Sequence, residues 1–103
     1  MLEVHVTFPN ATEASAVSRA AVERRLAACA NVGPEMHSFY WWDGLVQSED
    51  EVAVVFKTTE AAVDALVAFV SDKHSYDVPA IIVHRPVRVA PSYEDWVNRE
   101  TRP

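Results

Sequence analysis

Val52 to Phe56 is apolar at every position. Successive side chains of a strand point to opposite faces, so a strand here buries both of them and belongs inside a sheet. Other segments carry a strand period around it. Leu2 to Phe8 alternates, with Leu2, Val4, Val6 and Phe8 apolar and Glu3, His5 and Thr7 polar, which predicts a strand with one face in the core. Met36 to Trp42 is rich in aromatics and leads through Asp43-Gly44 toward Val52–Thr58. Asp-Gly between apolar runs predicts a hairpin turn, and Gln47-Ser48-Glu49-Asp50 is an alternative one. Ala80 to Val89 reads as the last strand, and Pro86 inside it demands an edge position.

Between the strands the period changes to that of a helix. Asn10 caps the first, with Glu13 as its reciprocal partner, and the pattern runs to about Ala30. Ala14, Val17, Ala21, Val22, Leu26 and Cys29 fall on one half of the wheel, with Arg25 an exception within that half. Asn31-Val32-Gly33-Pro34 is the expected stop. Thr58 or Thr59 caps the second helix, whose stripe is Val63, Leu66, Val67, Val70 and His74. Tyr76 to Pro79 reads as a loop. Ser92-x-x-Asp95 reads as a capping box for a short last helix with Tyr93, Trp96 and Val97 on one side.

The resulting order predicts an α+β, ferredoxin-like β-α-β-β-α-β sandwich with an antiparallel sheet and a short C-terminal helix. At 103 residues, it is expected to form one domain over 1–103. Helices in such a sandwich cover one sheet face, yet the third strand is apolar on both. Trp41 and Trp42, adjacent on a strand, cannot both enter one core. Either one is exposed without a role or the chain self-associates. The second is favoured, because large exposed aromatics on a strand invite association.

Composition narrows the function. Fifteen acids against nine bases give a net charge of −6, which lacks the basic footprint of a nucleic-acid binder. No apolar run approaches the about 18 residues of a membrane span. The single cysteine excludes an internal disulfide and any Cys-x-x-Cys site, and two glycines exclude a Walker A loop and a dinucleotide fingerprint. Met1 leads straight into a strand pattern and not an apolar signal segment, so a cytoplasmic location is expected.

Several stretches are similar to one family. They are Val6-Thr7-Phe8-Pro9, Arg25-Leu26-Ala27-Ala28-Cys29-Ala30-Asn31, Ser38-Phe39-Tyr40-Trp41-Trp42-Asp43-Gly44, Lys57-Thr58, His74-Ser75-Tyr76-Asp77-Val78-Pro79 and Tyr93-Glu94-Asp95-Trp96. In this order and spacing, from about Val4 to Glu100, the chain resembles the CutA proteins, named for divalent-cation tolerance. The resemblance implies a ferredoxin-like fold, a tight homotrimer built through extended hairpin arms, and binding of divalent metal ions, copper in particular. It also implies a likeness to PII-type signalling trimers, which read small effectors at subunit clefts. Where the usual family segment reads His-Pro-Tyr-x-x-Pro-Glu-Ile, Ser75 replaces the first proline and Ala80 the glutamate. Copper-binding members can carry a first-strand cysteine and a His-His pair; Val6, Lys73 and His74 stand at those positions, so only His74 survives and that particular copper site is not carried over.

The metal-ligand inventory is His5, His37, His74, His84, Cys29, Met36 and the carboxylates. No single element chelates by spacing, so a site has to be assembled across elements or subunits. His74 closes an apolar stripe and is the expected ligand, or else a structural histidine tying the loop to Tyr76. Cys29 reads as a buried small hydrophobe near a helix end, or less simply as a nucleophile paired with His74. Arg25 and Lys57 make a cationic spot for an anionic effector, or each pairs with a carboxylate. The expectation is a non-enzymatic trimer with His74 as metal ligand and Arg25, Trp42, Lys57 and Tyr76 lining one intersubunit region. The alternative is a PII-like regulatory or scaffolding trimer that binds a small anionic effector there.

Overall fold

The computed structural model describes residues 1–102. Its elements run β1 (Leu2–Phe8), α1 (Ala11–Glu23), β2 (Cys29–Trp42), β3 (Leu45–Thr58), α2 (Val63–Lys73), β4 (Ile81–His84) and α3 (Pro91–Glu100). The strands form one antiparallel sheet in the order β2-β3-β1-β4. This is the ferredoxin-like arrangement, with β1 and β3 central and the last strand at an edge.

The core lies between the sheet and the helices α1 and α2. Leu2, Val4, Val6 and Phe8 of β1 interlock there with Val52, Val54 and Phe56 of β3. Ala14, Val17 and Ala21 of α1 and Val63, Leu66 and Val70 of α2 close it from above. Full burial of such side chains contributes about 1.5–3 kcal/mol each. On the opposite face of β3, Ala53 and Val55 remain only half-buried.

Helix α1 ends at Glu23 and not near Ala30. Arg25 adopts a left-handed conformation, φ 61°, and its N–H donates to the Val22 carbonyl while the Leu26 N–H donates to the Ala21 carbonyl. That pair of bonds is the Schellman stop, here with arginine where glycine is usual. Cys29 therefore opens β2 and is not on a helix face. Gly33-Pro34, expected to end the helix, instead sits inside β2, at a register break between Val32 and Glu35. An edge strand tolerates a residue that cannot donate to the ladder.

The hairpin turn is Asp43-Gly44, both at positive φ (54° and 75°), as a two-residue type I′ turn requires. The alternative turn at Gln47–Asp50 is not formed; those residues extend β3 outward, paired with His37 to Tyr40. The two long strands thus run past the core as an arm, and the molecule measures 45 × 26 × 20 Å.

Three smaller expectations are corrected. The Thr58 hydroxyl donates to the Leu26 carbonyl, while Thr59 holds the turn ahead of α2 by accepting the Ala62 N–H. Strand β4 stops at His84, before Pro86 removes a ladder donor, and does not reach Val89. The Ser92–Asp95 capping box is absent: Ser92 lies inside α3, whose first position is Pro91 and whose cap, Ala90, offers no side-chain bond.

Candidate functional site

A cleft of about 700 Å³ opens between the arm and the α2–β4 loop. Register explains its lining. Ser38, Tyr40 and Trp42 alternate along β2, and their partners Glu49, Gln47 and Leu45 alternate along β3, so all six share one face of the arm. Of these, all but Leu45 line the cleft, together with Glu51 and Asp43. The loop supplies the opposite wall: Ser75, Tyr76, Asp77, Val78 and Ala80.

Tyr76 links the two walls. Its hydroxyl donates to Glu51 Oε2 at 3.2 Å. Partial burial, then the Glu51 carboxylate and its hydrogen bond, then Glu49 and Tyr40 push the Tyr76 phenol up to about 12. Tyr40 is raised by the same causes in smaller measure, burial first and then Glu49.

His74 anchors Tyr76 from beneath. Its side chain is fully buried and stacked on Phe8, with ring centroids 4.5 Å apart. Nε2 donates to the Thr7 carbonyl at 2.7 Å, and Nδ1 accepts the Tyr76 N–H at 3.1 Å. A carbonyl only accepts and an amide N–H only donates, so these partners fix the neutral Nε2–H tautomer. Neither ring nitrogen keeps a free lone pair. Glu13 Oε2 lies 3.8 Å from Nδ1 and accepts both the N–H and the hydroxyl of Ser75, at 3.1 and 3.0 Å. A proline at position 75 has no N–H to give, so serine adds a tie between this loop and α1.

Of the four residues expected to line one intersubunit region, two lie together within a single chain. Trp42 and Tyr76 both line the cleft. Lys57 lies six residues from Glu51 on β3, about 20 Å along the strand, and its Nζ donates to Asn31 Oδ1 at 2.6 Å. Arg25 pairs with the Glu100 carboxylate at 2.5 Å. They form no cationic spot in the cleft, whose charged lining groups, Asp43, Glu49, Glu51 and Asp77, are all acidic.

Cys29 is likewise remote from His74. It pairs with Lys57 at the opposite end of the sheet, and its thiol lies 3.4 Å from the Tyr93 hydroxyl. That hydrogen bond, followed by partial burial and the charges of Cys29 and Glu3, raises Tyr93 to about 12. The remaining histidines sit elsewhere. His37 bridges Asp50 and Ser48, each at 2.7 Å. His5 stands against His84, ring centroids 4.2 Å apart. Among the described residues, no three His, Cys, Asp or Glu side chains are already arranged to hold a metal ion.

Sequence reasoning missed Tyr40, Glu49 and Glu51 as lining residues. The signal was their i, i+2 spacing, hidden because Gln47–Asp50 also reads as a turn.

Residues 2–100 match the family described as CutA1 divalent ion tolerance protein. The chain belongs to the CutA1 family. A rice relative named "Protein CutA 1, chloroplastic" is 37% identical over 100 residues, which cover 96% of this chain and 56% of that protein. The chain thus spans little more than half the length of that relative. The crystal structure of CutA1 from Pyrococcus horikoshii matches with a TM-score of 0.94 at 36% identity, covering 100% of both chains. CutA from Archaeoglobus fulgidus, described as a periplasmic divalent cation tolerance protein, matches at a TM-score of 0.94 and 28% identity, over 99% of this chain and 100% of that one. CutA1 proteins are thus named from more than one compartment. In this member, no helix among the described residues is long and apolar enough to cross a membrane.

Proposed function

We propose that this CutA1-family chain acts as a cytoplasmic homotrimer that binds divalent metal ions, copper(II) foremost, and works without catalysing a reaction. The observation that carries the metal reading is the match of residues 2–100 to a family described by divalent ion tolerance. Copper(II) is favoured because it heads the affinity order of divalent first-row metals at imidazole donors. Self-association is supported by Phe39, Trp41 and Val46, which share the face of the arm away from the cleft and are 58–75% exposed. The absence of catalysis is supported by the separation of Cys29 from His74 at opposite ends of the sheet.

His74 is the proposed ligand. Nδ1 would exchange the Tyr76 N–H for the ion, with the Glu13 carboxylate 3.8 Å away as a second donor. Native mass spectrometry with one molar equivalent of copper(II) tests assembly and uptake together. The expected result is the mass of three chains, carrying a whole number of ions that the His74→Ala protein loses. A His74→Gln variant, which keeps a donor and an acceptor, separates lost ligation from lost folding. A trimer without copper, or an unsaturable ladder of adducts, sinks the metal reading; a monomer sinks the assembly.

A further inference from the structure

We propose that the cleft between the arm and the Tyr76 loop binds a linear di- or polyammonium ligand. This goes beyond metal tolerance and does not rest on it. Three observations carry the proposal: a cavity, its aromatic walls and the sign and spacing of its charge.

At about 700 Å³, the cleft is the size of a small-molecule site. Tyr40, Trp42 and Tyr76 give it three aromatic side chains. Aromatic faces attract ammonium and alkylammonium groups through the ring quadrupole, Trp and Tyr among the best. The lining groups charged at neutral pH are all carboxylates. None of Asp43, Glu49, Glu51 and Asp77 forms an ion pair among the described residues. Glu51 accepts one hydrogen bond from Tyr76, and a carboxylate has capacity for several.

Spacing selects the shape of the cation. Glu49 and Glu51 lie on one face of β3, two residues and hence about 7 Å apart. Asp43 sits farther out, at the turn. A single metal ion needs its oxygen ligands within about 2.0–2.6 Å, and among the described residues no three His, Cys, Asp or Glu side chains are grouped to hold one. An extended chain with ammonium groups several ångströms apart can meet these carboxylates in turn. Its methylene segments would lie against Tyr40 and Trp42.

The test uses the intact assembly. Tryptophan fluorescence and native mass spectrometry follow titration with spermidine and 1,4-diaminobutane. Succinate, a dianion, and sodium chloride at matched ionic strength serve as controls. The expected result is saturable uptake of one polyamine per chain and none of succinate. Affinity should fall at least tenfold in the Glu49→Gln/Glu51→Gln protein and also in Trp42→Ala. The glutamine pair conserves shape on an exposed hairpin, so the fold is retained, and copper uptake by the same protein reads the metal proposal separately. No saturation by either amine overturns the proposal, whether the cleft is empty or filled by a neighbouring copy. Equal affinity in the glutamine variant, or displacement of the amine by copper(II) at one equivalent, overturns it too.

Discussion

Tyr76 shows what one side chain does when partial burial and neighbouring carboxylates act in the same direction. Its phenol is raised from 10.0 to about 12, so the folded protein holds this proton more tightly than the unfolded chain. The stability this contributes is complete below about pH 10. It is lost as pH rises from about 10 toward 12, because the unfolded state releases the proton first. Tyr93, raised to about 12 by Cys29, acts in the same window and the same direction. Urea midpoints measured across this range should therefore fall with rising pH, and Tyr76→Phe should flatten part of the slope. A midpoint indifferent to pH between 10 and 12 would contradict the assignment. His74 illustrates the complementary case: sequence placed it at the end of an apolar stripe, and its burial follows. Its two backbone partners, Thr7 and Tyr76, come from separate segments and were not legible from the helix that carries it.

Among the elements, the β2–β3 hairpin depends on its turn and not on the core. Gly44 has φ +75°, and a Cβ built there meets nothing within 4 Å. Gly44→Ala therefore introduces no clash, only the cost of an L-residue in the left-handed region, about 1–2 kcal/mol. Because the turn lies at the arm tip, the loss should appear as faster amide exchange in residues 40–47, with core amides unchanged. Uniform acceleration across the sheet would show that arm and core unfold as one unit. Element types and order were legible because each strand and helix keeps its own hydrophobic period. Their ends were less so. Helix α1 stops where Arg25 turns left-handed, and no glycine announces it. Gly33-Pro34 carries the usual signature of a helix stop, yet it marks a break inside an edge strand. The polar run Gln47–Asp50 resembles a turn because the arm extends into solvent, where no core imposes alternation. The same ambiguity hid half of the cleft.

For the whole molecule, the issue is what covers the arm. Trp41 is 75% exposed and Phe39 69%, on the face opposite Tyr40 and Trp42 and so away from the cleft. In the proposed trimer this face contributes buried aromatic area, and such anchors dominate interface energies. Trp41→Glu should reduce the assembly to smaller species in native mass spectrometry while leaving the fold of the core, read by far-ultraviolet circular dichroism, intact. An unchanged trimer mass would place the interface elsewhere. Strand β3 also has a mechanical meaning. It is one uninterrupted beam of 14 residues, clamped at its root between β1 and β2 and cantilevered at its tip. A load applied at Leu45 is carried by the covalent backbone to Val52–Phe56. The arm is therefore a lever whose fulcrum is the hydrophobic core.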